Sequence, residues 1–221
     1  MVEYPKIETV FVRDEKTRRV LPSQLRLPEF GIVNSWAISE KIDGTNIRVG
    51  REEGQVRIVG RTDEAQFSVP AMDYLRGVFT ADAVRAVFPE GDDDFVLFGE
   101  LYGPKIQKGG GYAPSLRIRL FDVKVGRWWL KRDDMAGIAS CFDLATVPEL
   151  GPIAQPPRSI EEMAGPWQWA GTANESRVAR QDGGTGRCAE GIVARSEPLL
   201  LLRNGQRLMW KLKFRDFGGA V

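Results

Sequence analysis

The sequence predicts an α+β protein dominated by antiparallel strands, on three observations. Short apolar runs, alternating or continuous, recur from Thr9 to Phe214 and are bounded by Gly, Pro and Asp, the pattern of paired strands. Helical spacing is confined to a few stretches, chiefly Val69 to Phe88 and Asp133 to Phe142. No internal repeat, low-complexity tract or clear linker divides the 221 residues, so residues 1–221 read as one domain.

In chain order, Thr9-Val10-Phe11-Val12 opens as a strand, and the charged segment Asp14 to Arg19, Pro22 and Pro28 interrupt the chain up to residue 35. Residues 36–60 read as hairpin structure. Ala37 to Lys41 runs out, Asn46 to Gly50 begins the return, Glu52-Glu53-Gly54 turns, and Gln55 to Val59 is the next strand. Met72, Leu75, Val78 and Phe79 recur at helical spacing, and a second helix starts near Ala81 with Val84 and Val87 on its face. Asp92-Asp93-Asp94 is a solvated loop. Phe95 to Leu101 is a strongly apolar strand, Gly103 to Pro114 a flexible loop, Leu116 to Val125 a strand, and Arg127 to Leu130 continues it as a hairpin. The proline-rich Val147 to Pro157 is extended. Ser159-Ile160-Glu161-Glu162 is a capping-box start for a short helix. Gln181 to Gly186 is a loop, and strands at Gly191 to Arg195 and Arg207 to Phe214 flank a turn at Asn204-Gly205.

Composition narrows the chemistry. Apolar residues make up 43% and charged residues 28%, enough for a core in a soluble protein. A net charge of +1 leaves no global pull towards nucleic acid, so any such surface is a local patch. Cys141 and Cys188 have no metal-ligand spacing, and a reduced cytoplasmic compartment is the natural reading. The first residues lack a signal peptide's apolar segment, and no apolar run approaches the ~20 residues of a membrane span. The chain contains no histidine, which excludes histidine bases, Ser-His-Asp triads and histidine-bound zinc. Catalysis must use Lys, Asp, Glu, Arg, Tyr or Cys.

One stretch organises the rest: Ser39-Glu40-Lys41-Ile42-Asp43-Gly44-Thr45-Asn46. On these residues alone two readings stand. Asp43-Gly44 is the turn of a hairpin and Lys41 an exposed lysine, or Lys41 is held at a pocket rim and serves, once deprotonated, as a nucleophile. Polar residues that interrupt apolar strands bear on the choice. Glu100 ends Phe95-Val96-Leu97-Phe98-Gly99, and Glu190 precedes Gly191-Ile192-Val193. A buried carboxylate is costly unless paired, and each of these taken singly is as readily a strand-end acid in water. In Arg119-Leu120-Phe121-Asp122-Val123, alternation sends Phe121 and Asp122 to opposite faces. In Trp210-Lys211-Leu212-Lys213-Phe214 it puts both lysines on one face and the apolar residues on the other. Together these supply a lysine nucleophile, acids for a divalent metal and cations for phosphate.

The ordered series Lys41-Ile42-Asp43-Gly44, Leu97-Phe98-Gly99-Glu100-Leu101-Tyr102-Gly103, Leu120-Phe121-Asp122-Val123, Ala189-Glu190-Gly191-Ile192-Val193 and Trp210-Lys211-Leu212-Lys213 resembles the five motifs of the covalent nucleotidyltransferases. These include ATP-dependent DNA ligases, RNA ligases and mRNA capping enzymes. DNA ligases and capping enzymes usually carry Arg where this chain has Asn46. Gly44-Thr45-Asn46 looks like RNA ligases of the bacteriophage T4 RNA ligase 2 type, as do Gly60-Arg61-Thr62 and the opening Tyr4-Pro5-Lys6-Ile7-Glu8-Thr9. That type often has His in place of Asp43, a departure here.

The resemblance implies an ATP-grasp-like ligase adenylation fold, with antiparallel sheets, flanking helices and a nucleotide pocket between them. It implies that Lys41 attacks the α-phosphorus of ATP to give lysyl-AMP, which passes to a 5′-phosphate and is displaced by a 3′-hydroxyl. Neighbouring cations and partial desolvation favour the neutral amine this needs. Lys213 contacts the α-phosphate with Lys211 assisting, Phe121 stacks on adenine, Glu100 binds a ribose hydroxyl, and Asn46 and Arg61 contact phosphates. Glu190 and Asp43 hold Mg²⁺ or Mn²⁺ through water. Glu40 falls near the base by position, without a physical argument for its role.

RNA with 5′-phosphate and 3′-hydroxyl ends, nicked for instance, is the implied partner. Three basic clusters are available to its backbone: Arg13, Lys16, Arg18 and Arg19; Lys105 and Lys108; Arg127, Lys131 and Arg132. An OB-fold or helical domain, usual after the last motif in this superfamily, is not expected within the 221 residues, and a protein partner could replace it. A minimal DNA ligase, a capping-type enzyme and a non-catalytic nucleotide- or RNA-binding module remain alternatives. Asn46 weighs against the first two, and the intact set Lys41, Glu190, Lys211 and Lys213 against the third.

Overall fold

Turn residues every few positions and β-branched or aromatic runs between them produce thirteen described strands and five described α-helices. The computed structural model describes residues 1–89, 94–107, 109–164, 175–186 and 188–218. Asp92 and Asp93 of the expected solvated loop, and Lys108 of the expected basic cluster, lie outside them. The early elements are β1 (Glu8–Thr9), β2 (Phe11–Arg13), β3 (Val20–Leu25), β4 (Trp36–Lys41), β5 (Thr45–Glu52), β6 (Gln55–Val59), α1 (Val69–Val78), α2 (Ala81–Val87) and β7 (Phe95–Tyr102). After them come β8 (Arg117–Val125), β9 (Trp128–Trp129), α3 (Arg132–Cys141), β10 (Ala145–Thr146), β11 (Glu149–Ile153), α4 (Ile160–Ala164), α5 (Arg177–Gln181), β12 (Gly191–Ser196) and β13 (Met209–Lys213). The expected mixture of antiparallel strands and few helices is what forms.

The chain makes two compact units. Unit one is Met1–Tyr4 with Asp43–Val147; unit two is Pro5–Ile42 with Pro148–Val221. In unit one the sheet order is β10-β8-β7-β5-β6, with β9 on β8. Its core face joins Ile47, Val49, Leu97, Leu101, Ile118, Leu120 and Val123 to Leu75 and Phe79 of the α1 region, Val84 of α2 and Met135 of α3. The two helices expected between Val69 and Phe88 start where Ser68 and Thr80 precede them; the Thr80 hydroxyl accepts from the Ala83 N–H at 3.2 Å. On the opposite face Arg48 is fully buried. It donates to the carbonyls of Gly60 at 2.8 Å, Met1 at 3.0 Å and Val2 at 3.1 Å, and to Asp63 at 2.6 Å.

In unit two the sheet order is β1-β13-β12-β4-β11; β1 and β13 pair parallel and the other neighbours antiparallel. Trp36 and Ile38 of β4, Ile192 and Ala194 of β12, and Trp210 and Leu212 of β13 fill its core. Trp36 meets Trp210 edge-on at 5.6 Å.

Three expectations change. Ala37 to Lys41 and Asn46 to Gly50 do not pair. β4 lies between β12 and β11, while β5 lies between β7 and β6. Asp43-Gly44 is therefore a crossing from unit two to unit one and not a hairpin turn. Gly44 serves close approach, since a Cβ there would sit 2.3 Å from the Leu101 carbonyl oxygen. The segment Thr9 to Val12 splits at Val10, with Thr9 pairing Lys211 and Phe11 pairing Leu25. Gln181, expected in a loop, ends α5, whose five residues are too few for a visible helical period. At Ser159 the expected cap forms: its hydroxyl accepts from Glu162 N–H at 3.1 Å, while the Glu162 carboxylate reaches back to Arg158 N–H at 2.8 Å.

Arg48→Ala is expected to destabilise the protein by about 3 kcal/mol, because it removes a buried side chain and leaves the buried Gly60 carbonyl and two part-buried carbonyls without their donor. Urea denaturation of both proteins checks this, and a loss under about 1 kcal/mol would show those carbonyls find other partners.

Candidate active site

Strand alternation decides which way the residues around Lys41 point. On β4, Ile38 and Trp36 face the core of unit two, and Glu40 shares their face. The Glu40 carboxylate is 2% exposed, accepts from the Ser176 hydroxyl, and accepts from the Val178 N–H at 3.2 Å. Ser176 in turn caps α5 by accepting from Ala179 N–H at 3.0 Å. Glu40 thus anchors the start of α5 from the face opposite Lys41, a contact with no signal in the sequence.

On the other face, Lys41 of β4, Gly191 of β12 and Lys213 of β13 are register partners on one rung across three strands. The middle position must be glycine: a Cβ on Gly191 would lie 2.1 Å from the Leu212 carbonyl oxygen and 2.7 Å from Lys213 Cα. Glu190, the residue before it, sends its carboxylate to both neighbours. Oε2 accepts from Lys41 Nζ at 2.5 Å and Oε1 accepts from Lys213 Nζ. Lys211 shares the face of Lys213, two residues back, as expected; Trp210, Leu212 and Phe214 are buried.

Glu190 is 5% exposed. Burial alone would raise its pKa, but the charge of Lys41, hydrogen bonds from Lys213 and Lys41, and the charge of Lys213 outweigh that and hold it below the ordinary carboxylate range. The sequence suggested that cations beside Lys41 favour its neutral amine. The structure adds an opposing group, for the Glu190 anion favours the ammonium form of Lys41.

The remaining site residues belong to unit one. Asn46 of β5 pairs in register with Glu100 of β7. Glu100 Oε1 accepts from the Gly44 N–H at 3.2 Å, and the Asp43 N–H donates to the Tyr112 hydroxyl at 3.4 Å. Asn46 Oδ1 is buried without a hydrogen-bond partner among the described residues, a state that calls for a ligand or water. Arg61 is exposed just beyond β6. Phe121 sits at a bulge, since Phe98 pairs Asp122 while Gly99 pairs Leu120. The bulge shifts the alternation, with Leu120 and Val123 both in the core, so Phe121 and Asp122 share the other face instead of opposing each other. Tyr4 meets both. Its hydroxyl donates to Asp122 at 2.7 Å, and its ring meets Phe121 edge-on at 5.0 Å.

Of the basic clusters, Arg13 is committed to Asp216 at 2.7 Å and Arg132 to the Val147 carbonyl at 2.9 Å. Lys16, Arg18, Arg19, Lys105, Arg127 and Lys131 are exposed. No group of three or more acidic or cysteine side chains placed to hold a metal occurs among the described residues. A carboxylate such as that of Glu190 is of the type that suits a hard cation that keeps its waters and is bound mainly through substrate phosphates, as Mg²⁺ is. Among the described residues no helix is long and apolar enough to cross a membrane.

The family model described as RNA ligase matches residues 34–213. The chain belongs to the RNA ligase family. Solved structures with the same fold include a Naegleria gruberi RNA ligase with PPi. It is 16% identical with a TM-score of 0.63, and the match covers 96% of this chain and 56% of that one. The same enzyme with AMP and Mn, as a mutant, is 15% identical with a TM-score of 0.61 over 96% and 56% of the two chains. An archaeal ATP-dependent RNA ligase is 16% identical with a TM-score of 0.56 over 97% of this chain and 49% of that one. This RNA ligase family chain spans about half the length of those solved structures. No curated relative matches it.

The lowered Glu190 pKa gives stability that is present above about pH 4.3, the usual glutamate value, and lost as pH falls through the folded value. Denaturation midpoints measured from about pH 7 to 3 should therefore fall more steeply for the wild type than for Glu190→Gln. Equal slopes would mean that the two lysines do not stabilise the charged form.

Proposed function

We propose that this chain carries out ATP-dependent RNA ligase chemistry, with Lys41 as the covalent carrier of AMP. The observation that carries the reading is the rung Lys41–Gly191–Lys213 with Glu190 shared by both ammonium groups, in a chain of the RNA ligase family. A lysine half-buried beside an acid and a second cation is suited to nucleophilic phosphoryl transfer, where catalysis is mostly positioning and charge stabilisation.

Lys41 must shed a proton before it attacks. The Glu190 anion in contact with it favours the ammonium form, so the proton leaves to solvent as Lys41 is drawn away from Glu190. The neutral Nζ forms an N–P bond to the α-phosphorus of ATP as the bond from that phosphorus to the bridging oxygen breaks and pyrophosphate leaves. Lys213, with Lys211 assisting, stabilises the charge that builds on the phosphoryl oxygens. A divalent cation held by Glu190 and Asp43, when bound, supplies further positive charge at the phosphates. Phe121 offers its ring to adenine, Glu100 an acceptor to the ribose, and Asn46 and Arg61 polar contacts to phosphates. The Glu40 carboxylate accepts from Ser176 and Val178 at the start of α5, on the face opposite Lys41.

Transfer of AMP to a 5′-phosphate of RNA and its displacement by a 3′-hydroxyl complete the proposed reaction. Asn46 after Asp43-Gly44, and Arg61, favour the bacteriophage T4 RNA ligase 2 type within the family. The solved ligases cover nearly the whole of this chain, which supports reading residues 1–221 as one adenylation module.

Incubation with α-labelled ATP and Mg²⁺, followed by denaturing electrophoresis, is expected to leave label on the wild-type protein and none on Lys41→Ala. Lys213→Ala should slow labelling by about 100-fold or more, the scale of a lost transition-state contact. Absence of label on the wild type, or label retained by Lys41→Ala, would sink the reading; label from GTP alone would point to capping chemistry.

A further inference from the structure

Lys213 is the last residue of β13, so its position depends on what holds the end of that strand. On one side the ladder with β12 persists: Gly191 is opposite Lys213, and the Phe214 N–H donates to the Glu190 carbonyl at 3.1 Å. On the other side the parallel partner β1 stops early. Thr9 lies opposite Lys211, the Val10 N–H donates to the Lys211 carbonyl at 3.2 Å, and β1 does not reach Lys213. The Lys213 N–H faces this unpaired edge, where a strand end frays unless another acceptor takes the donor.

Asp216 takes it. The carboxylate lies in the 3₁₀ turn Phe214–Phe217 after β13, and its Oδ2 accepts from the Lys213 N–H at 3.0 Å. Asp216 is 2% exposed, and its other oxygen accepts from Arg13 Nη2 at 2.7 Å. Arg13 is itself held by the Arg18 carbonyl at 2.8 Å and the Thr9 hydroxyl at 3.3 Å. β2 thus supplies through a side chain the bracing that β1 no longer gives through its backbone. Pairing with Arg13 also cancels the carboxylate's charge, which would otherwise oppose phosphate binding by Lys213.

We propose that Asp216, anchored by Arg13, is a positioning residue that fixes Lys213 against Glu190 and acts on the reaction through Lys213 alone. This rests on the reading of Lys213 as a phosphate-binding cation. Loss of the anchor lets the end of β13 move, and a displacement of about 1 Å in a charge-stabilising group can cost on the order of 100-fold in rate.

The test is a double-mutant cycle on the rate of lysyl-AMP formation in the full chain, with melting temperature recorded for every variant. Asp216→Ala is expected to slow labelling about 10- to 100-fold. In a Lys213→Ala background the same change should cost nothing further, because a residue that acts through another has no effect once that other is gone. Asp216→Asn keeps an oxygen for the Lys213 N–H and is expected to recover most of the rate; it also serves if the alanine variant does not fold. Equal losses from Asp216→Ala with and without Lys213, or a folded Asp216→Asn as slow as Lys213→Ala, overturn the proposal while leaving the role of Lys41 intact. A wild type that takes no label removes the ligase reading and this inference with it.

Discussion

The sheet of unit two depends on one shared carboxylate. Two ammonium groups on the same rung would repel each other if nothing stood between them. Glu190 stands there, nearly buried and ionised, with one oxygen for each lysine. Its burial is tolerable because both partners come with it. The arrangement is possible because the rung's central residue is Gly191, whose missing side chain lets β12 and β13 lie too close for any other residue. The two strands that flank β12 thereby deliver cations to one acid without a side chain from the middle strand intervening.

A constellation of this kind has a chemical cost built into it. The ion pair that orders Lys41 also favours its ammonium form, and an ammonium group is not a nucleophile. The arrangement thus holds Lys41 in place, and in the proposed reaction its activation falls to whatever competes with it for Glu190. Phosphate oxygens draw ammonium groups and a hard cation draws carboxylates, so either of them, once bound, would disturb that balance. The same logic separates Glu40 from its neighbour. One residue away on the strand, it faces the core, and its charge is spent on the Ser176 hydroxyl and a backbone N–H at the start of a helix.

Much of this was legible in the sequence, and the reasons are local. Lys211 and Lys213 share a face because a strand alternates, and the helices between Val69 and Phe88 came from apolar spacing. What was not legible depends on partners distant in sequence. Asp43-Gly44 has the composition of a hairpin turn, and only the pairing of β4 with β12 and of β5 with β7 reveals a crossing. Phe121 and Asp122 obey alternation on paper, yet one unpaired residue in the ladder brings them to the same side. The shared Glu190 needed Lys41 and Lys213, from the two ends of the chain, to be register neighbours of the same glycine. Asp216 carried no signal beyond its short distance in sequence from Lys213.

The crossing at Asp43 has a consequence for how the protein comes into being. The sheet that bears Lys41 takes β1 and β4 from the first part of the chain and β12 and β13 from the last, with the whole of Asp43–Val147 inserted between them. During synthesis Lys41 emerges early into a sheet that lacks its central strands. Closing so long a loop costs entropy before any contact repays it, so the acid and the second lysine join Lys41 only after β13 has been made. The cluster of Lys41, Glu190 and Lys213 is therefore complete only once β13 exists, and a nascent chain carries Lys41 long before it carries the partners of its ammonium group.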